Sequence, residues 1–154
     1  MGHCRFRHSG SELGNAGPVL DATTHILDSI LESADCVESA ALEVARRAGL
    51  RETTLEHVGL AVHEITLNAV VHGNRSNLHK KVIVTISRTP DTLQIVIADQ
   101  GKGFDLDSVS DRLAPHGIVE GSGRGIFLAR KFMDEFSVQR DRAGWHRVTM
   151  VKYL

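Results

Sequence analysis

Three short clusters in this chain combine residue types that can handle phosphate, a divalent cation and a flat polar base. The first is His63-Glu64-Ile65-Thr66-Leu67-Asn68-Ala69. Glu64 and Asn68 are four residues apart, so on a helix they share one side, a turn apart. A carboxylate can take a proton from a hydroxyl or a water. A neutral amide oxygen suits Mg²⁺, a hard ion that accepts few protein ligands and completes its shell with phosphate and water. The apolar stripe of the same segment is Val58, Val62, Ile65 and Ala69. At about 100° per residue, Glu64 lies roughly 120° from the centre of that stripe. The pair therefore faces along the edge of the core. Alone, this spacing also fits any Glu and Asn on a wet helix face.

The second cluster is Asp99-Gln100-Gly101-Lys102-Gly103-Phe104-Asp105, directly after an apolar run. A carboxylate at a strand end can accept a hydrogen bond from an exocyclic amine such as adenine N6. Gly101 and Gly103 permit close approach of a flat ligand. An ordinary strand-exit turn uses the same residues. The third cluster, Gly121-Ser122-Gly123-Arg124-Gly125, precedes a helical run, Ile126–Met133. Free N–H groups at a helix start, with the helix dipole, favour an anion, and phosphate is the natural guest. Neither a dinucleotide fingerprint nor a P-loop fits: no βαβ context surrounds it and no Gly-Lys-Ser/Thr follows.

These clusters need elements to hold them. Val19–Ile26 reads as an edge strand, helped by its Thr-Thr pair. A helix over Cys36–Ala48, capped by Ser33 or Asp35, repeats Val37, Ala40, Ala41, Val44 and Ala48, and Gly49 ends it. A second helix starts at Thr53, where Thr53 and Glu56 fit a capping box, and runs to about His72, with Gly73-Asn74 as its stop. Lys81–Arg88 and Thr92–Asp99 alternate like strands, and Thr89-Pro90-Asp91 between them predicts an antiparallel hairpin. Gly101–Glu120 reads as a polar loop with little fixed structure. Gly125–Glu135 reads as helix, and Phe136–Gln139 and His146–Tyr153 as two further strands joined by Asp141–Gly144. The expected fold class is α+β: a two-layer sandwich with helices on one face of a mixed, mostly antiparallel sheet.

Bulk properties agree. The 154 residues suffice for one domain. We expect residues 1–17 to be disordered and 18–154 to form a single domain. Hydrophobic residues make up 42%, charged residues 24%, and the net charge is −1, so nothing favours a nucleic-acid surface. The two cysteines form no metal-ligand spacing. No apolar run approaches the ~20 residues needed to cross a bilayer, and no secretory signal is seen. A cytoplasmic location, away from membranes, is expected. His63 and His72 read as packing or capping residues.

The order of the clusters resembles the GHKL ATPase superfamily, shared by gyrase-type topoisomerases, histidine kinases and mismatch-repair ATPases. The resemblance covers Glu52–Glu135. The run from His63-Glu64 through Asn68-Ala69-Val70 to His72-Gly73-Asn74, and the run Gly125–Glu135, look like the bacterial anti-sigma-factor serine/threonine kinases. The resemblance implies ATP and Mg²⁺ as cofactors. It implies that Asn68 ligates the Mg²⁺ bridging the phosphates and that Glu64 is the general base. Asp99 would read the adenine amino group, with Gly101 and Gly103 shaping the purine pocket. Gly121, Gly123 and Gly125 would end the ATP lid, and Arg124 either meets the terminal phosphate or faces solvent. The implied partners are a sigma factor, an anti-anti-sigma antagonist and a second copy of the chain. The competing expectations are an ATP-dependent binding module without phosphotransfer, and a catalytic domain related to two-component histidine kinases.

Overall fold

The computed structural model describes residues 5–7, 17–104, 106 and 122–154. Six strands form one sheet in the order β1-β2-β3-β4-β6-β5. They are β1 (Arg5–Arg7), β2 (Asp21–Asp28), β3 (Lys81–Arg88), β4 (Thr92–Asp99), β5 (Glu135–Arg140) and β6 (His146–Tyr153). Three α-helices accompany them: α1 (Glu32–Arg47), α2 (Glu52–Leu67) and α3 (Ser122–Phe132). The two-layer α+β arrangement is as expected. Every pairing among the described strands is antiparallel, so the mixed component is absent.

Period-two alternation places one side of each strand inward. Leu27, Val82, Val84, Ile86, Leu93, Ile95, Ile97, Val148 and Met150 are buried in a single core. Against them α1 lays Val37, Ala41, Val44 and Ala45, α2 lays Leu55, Val58, Ala61, Val62 and Ile65, and α3 lays Ile126 and Ala129, with Met133 just beyond its end. These follow helical spacing, which is why the three helices sit on the sheet by one stripe each.

Some boundaries differ from the sequence reading, for local reasons. β2 is not an edge strand: β3 pairs along its whole length and β1 pairs with Thr24–Ile26 on the other side. Part of the segment expected to be irregular thus becomes the short, arginine-flanked edge. Neither expected N-cap is used. α1 begins at Glu32 without a side-chain cap, and Ser33 instead donates its hydroxyl to the Asp28 carbonyl at 2.7 Å. α2 begins at Glu52 after an extended Arg51, also without a side-chain cap. Gly49, at φ +83°, does end the first helix. The β3–β4 turn is closed by Thr89 N–H to the Thr92 carbonyl at 2.9 Å. Glu135 belongs to β5 and not to the preceding helix.

The end of the second helix shapes the site. Thr66 turns its hydroxyl back onto the Val62 carbonyl at 2.8 Å, a bond of the kind that competes with the helix ladder. From Asn68 to Gly73 the backbone widens into a π-helical turn. Asn74 N–H reaches the Ala69 carbonyl at 2.8 Å, and Ser76 N–H reaches that of Val70. Such wide turns are rare and recur at functional sites.

Candidate nucleotide site

A cavity of ≈ 180 Å³ opens between the π turn, the ends of β4 and β6 and the start of α3. Its polar wall consists of Asn68, His72, Asp99 and His146; Ile65, Ile97, Phe104, Ile126 and Val148 supply apolar surface.

Asp99 ends β4 and is 3% exposed. Its Oδ1 accepts the Gly101 N–H at 2.7 Å, and its Oδ2 lies 3.0 Å from His146 Nδ1. Asp99 and His146 are cross-strand partners, the last residue of β4 facing the first of β6. The strand register therefore presents a carboxylate with both oxygens held by donors.

The glycines make room for this carboxylate. A Cβ on Gly73 would stand 2.4 Å from Asp99 Oδ1. A Cβ on Gly101 would stand 2.3 Å from the Gly73 carbonyl oxygen. Gly101 is thus a close-contact residue beneath the cavity and not one of its lining residues. Gly103 does line it, at φ +75°, and a Cβ there would fall 2.2 Å from the His146 ring. Phe104 meets the same ring edge-on, with centroids 4.9 Å apart.

Two residues outside the expected set hold the strand exit. Asn74, 1% exposed, donates from Nδ2 to Ser29 Oγ and to the Lys81 carbonyl, each at 2.9 Å. Its Oδ1 accepts the Gln100 N–H at 2.9 Å. One amide thereby ties the π turn to the β2–α1 corner, to β3 and to the end of β4. Arg140 donates to the Gly101 carbonyl at 3.3 Å and also to that of Lys102. The sequence had shown Gly73-Asn74 only as a helix stop; their types were visible, their long-range partners were not.

Asn68 is 8% exposed and lines the cavity, and its Nδ2 has no partner among the described residues. A carboxamide can turn either its oxygen or its nitrogen to a ligand. A buried, unsatisfied amide facing a cavity therefore fits a ligand to Mg²⁺ or to a phosphate-bound water.

Glu64 lies one turn before Asn68, half-buried, and is not a lining residue. Its carboxylate rests against α3: a Cβ on Gly125 would come within 2.4 Å of Oε2. Helix α3 begins at Ser122, so Gly123, Arg124 and Gly125 occupy its first turn and do not precede it. Gly123 and Gly125 are buried, Gly123 lines the cavity, and Arg124 is exposed. Gly121 and most of the expected lid lie outside the described residues. His63 pairs with Glu38 of α1 at 2.9 Å, a packing role as expected, and the exposed His72 stands at the cavity wall.

A helix-over-sheet domain with a buried carboxylate at a strand end, an amide on the facing helix and a glycine-rich helix start defines an ATPase-type site. Residues 28–152 match the family described as histidine kinase-like ATPase domain. The serine-protein kinase RsbW of Bacillus velezensis is 34% identical over 118 residues, covering 72% of each chain. That of Staphylococcus aureus strain Newman is 30% identical, covering 72% of this chain and 73% of its own. The chain belongs to the histidine kinase-like ATPase family, in the branch that holds the serine-protein kinases named RsbW. Among solved structures, the mycobacterial sensor histidine kinase MprB aligns with TM-score 0.54 at 20% identity, over 83% of this chain and 95% of that one. A chain of the SiaB–SiaC complex from Pseudomonas aeruginosa aligns with TM-score 0.50 at 12% identity, over 88% and 91%. These two likenesses concern the fold alone. Among the described residues, no helix is long and apolar enough to cross a membrane.

Proposed function

We propose that this chain binds ATP with Mg²⁺ and transfers the γ-phosphate to a serine or threonine of an anti-anti-sigma antagonist, and that it also sequesters a sigma factor. The observation that carries this reading is the convergence of buried Asp99 and buried Asn68 on one cavity, with the start of α3 closing it. Asp99 accepts from the adenine amino group. The first turn of α3 points its N–H groups and positive dipole end at the phosphates, and glycine at 123 leaves the backbone uncovered. Asn68 would hold Mg²⁺, which when bound neutralises phosphate charge. Glu64, a turn away, takes the proton of the attacking hydroxyl. Among the described residues Asp99 is the only carboxylate on the cavity wall, and Glu64 stands off it.

The packing of Glu64 against Gly125, away from the cavity wall, favours a second reading: an ATP-dependent binding module without phosphotransfer. We infer a cytoplasmic homodimer. The sheet face away from the helices supports association, since it carries Thr24, Thr85 and Val96 in one cross-strand row and Ile26, 46% exposed, beside Ile83.

The deciding experiment is calorimetry of Mg²⁺-dependent ATP binding by the wild type and by Asp99→Asn. Binding in the wild type that falls at least about tenfold, ~1.4 kcal/mol, in the variant is the expected result. A folded wild type that binds no ATP overturns the proposal. Phosphotransfer to a serine-bearing antagonist then separates the kinase from the pure binder.

A further inference from the structure

Arg140, the last residue of β5, ends a row that the strand register draws across three strands: it pairs with His146, which pairs with Asp99. Its guanidinium does not stop at its own hairpin. Nη1 donates to the Gly144 carbonyl at 2.7 Å and to the Gly101 carbonyl at 3.3 Å, and Nη2 donates to the Lys102 carbonyl. The turn that leads into His146 is thereby fastened to the segment by which the chain leaves Asp99.

That segment needs fastening. Gly101-Lys102-Gly103 has glycine at two of its three positions, and glycine loses more backbone freedom on ordering than any other residue. Gly103 sits at φ +75°. Gly101 is gripped from both sides: its N–H goes to Asp99 Oδ1 at 2.7 Å and its carbonyl goes to Arg140. Gly103 and Phe104, the next residues along, line the cavity, and Phe104 meets the His146 ring edge-on. A planar guanidinium fork meets two successive carbonyls at a fixed spacing, whereas an ammonium is a point charge on a flexible stem.

We propose that Arg140 is a positioning residue for nucleotide binding: it latches Gly101–Phe104 in the binding conformation before the nucleotide arrives. This rests on the ATP reading above and deepens it. With the latch cut, the glycine-rich segment samples other conformations, and the apparent affinity falls by the fraction of molecules still competent to bind.

The test is Mg²⁺-dependent ATP binding, by calorimetry, in the wild type, Arg140→Ala, Arg140→Lys and Arg147→Ala. The last is a control for the hairpin alone: it removes the 2.8 Å bond from Arg147 Nε to Asp141 and loosens the same turn. The expected result is an affinity about tenfold lower in Arg140→Ala, the worth of one hydrogen bond, an intermediate loss in Arg140→Lys, and less than about a twofold change in Arg147→Ala. Thermal melting checks that each variant folds. Wild-type affinity in folded Arg140→Ala overturns the proposal. Equal weakening in Arg147→Ala and Arg140→Ala also overturns it, since hairpin stability alone would then account for the effect. If Arg140→Ala does not fold, an affinity lowered at least about threefold in Arg140→Lys supports the latch, and a wild-type affinity there overturns it. A folded wild type that binds no ATP instead overturns the ATP reading, and this proposal with it.

Discussion

Gly73 and Asp99 occupy each other's space: the carboxylate Oδ1 stands 2.4 Å from where a side chain on residue 73 would begin. Gly101 presses on Gly73 from the other side, backbone against backbone. The π turn, the strand end and the exit loop are therefore fitted around one buried carboxylate.

This packing sets apart two alanine substitutions. Gly73→Ala pushes on a side chain already held by Gly101 N–H and His146, so it displaces Asp99 and weakens ATP binding about as far as Asp99→Asn does. Gly101→Ala meets backbone that cannot rotate aside. It lowers stability by about 1–3 kcal/mol and the melting midpoint by roughly 3–10 °C. Calorimetric titration of the first and scanning calorimetry of the second check the pair. A Gly101→Ala protein as stable as the wild type contradicts the contact.

Glu64 can be separated from binding. Glu64→Ala is expected to slow phosphotransfer about 10²–10⁴-fold while ATP affinity changes less than about threefold. Single-turnover transfer from labelled ATP, beside a binding isotherm, reads both. Equal loss of the two means that Glu64 supports the pocket and is not the base.

Asn74 makes three hydrogen bonds to three different segments. Asn74→Ala leaves the Lys81 carbonyl and the Gln100 N–H without their partner, for a loss of about 2–4 kcal/mol. Urea unfolding shows this as a lower midpoint at unchanged slope. A loss under ~0.5 kcal/mol would falsify the clasp.

Acid sensitivity should begin at a histidine. His25 lies in the inward row of β2, and burial lowers its pKa below the usual 6.5. As pH falls through 6.5 the unfolded chain takes up a proton that the folded chain refuses. Stability is therefore full above 6.5 and drops from there down to the lower folded value. Asp134 acts in a separate window. Burial raises its pKa, but the Tyr153 N–H and Lys152 outweigh that and bring it below 3.8, so its contribution is lost only as pH falls below 3.8. His25→Leu is expected to flatten the stability profile just below pH 6.5 and leave the Asp134 region unchanged. Denaturant midpoints measured at several pH values decide it.

Much of the fold was legible because it is local. The alternation in Lys81–Arg88 and Thr92–Asp99, the turn between them and the stripe Val58, Val62, Ile65 are short-range patterns, and each appears where expected. Asp99 and Asn68 were legible as types, and both line the cavity. His146 was not: its partner is 47 residues away, and β4 and β6 become neighbours only after α3 and β5 intervene. The same holds for Asn74, whose side chain bonds to residues of three other segments. The caps failed for the opposite reason. Ser33 and Thr53 offered good local chemistry, but Ser33 was drawn to the Asp28 carbonyl and the second helix started a residue ahead of Thr53.

The wide turn from Asn68 to Gly73 carries one residue more than an ordinary helical turn would over the same rise. Chain length between Asn68 and Asn74 is accordingly as constrained as residue identity. Deleting Val71 or His72, both exposed, would let the helix close into regular α geometry and rotate the chain beyond it by about 100°. Gly73 would then leave the Asp99 carboxylate and Asn74 would leave its three partners. This stretch can tolerate exchange of its solvent-facing letters but not a change in their number.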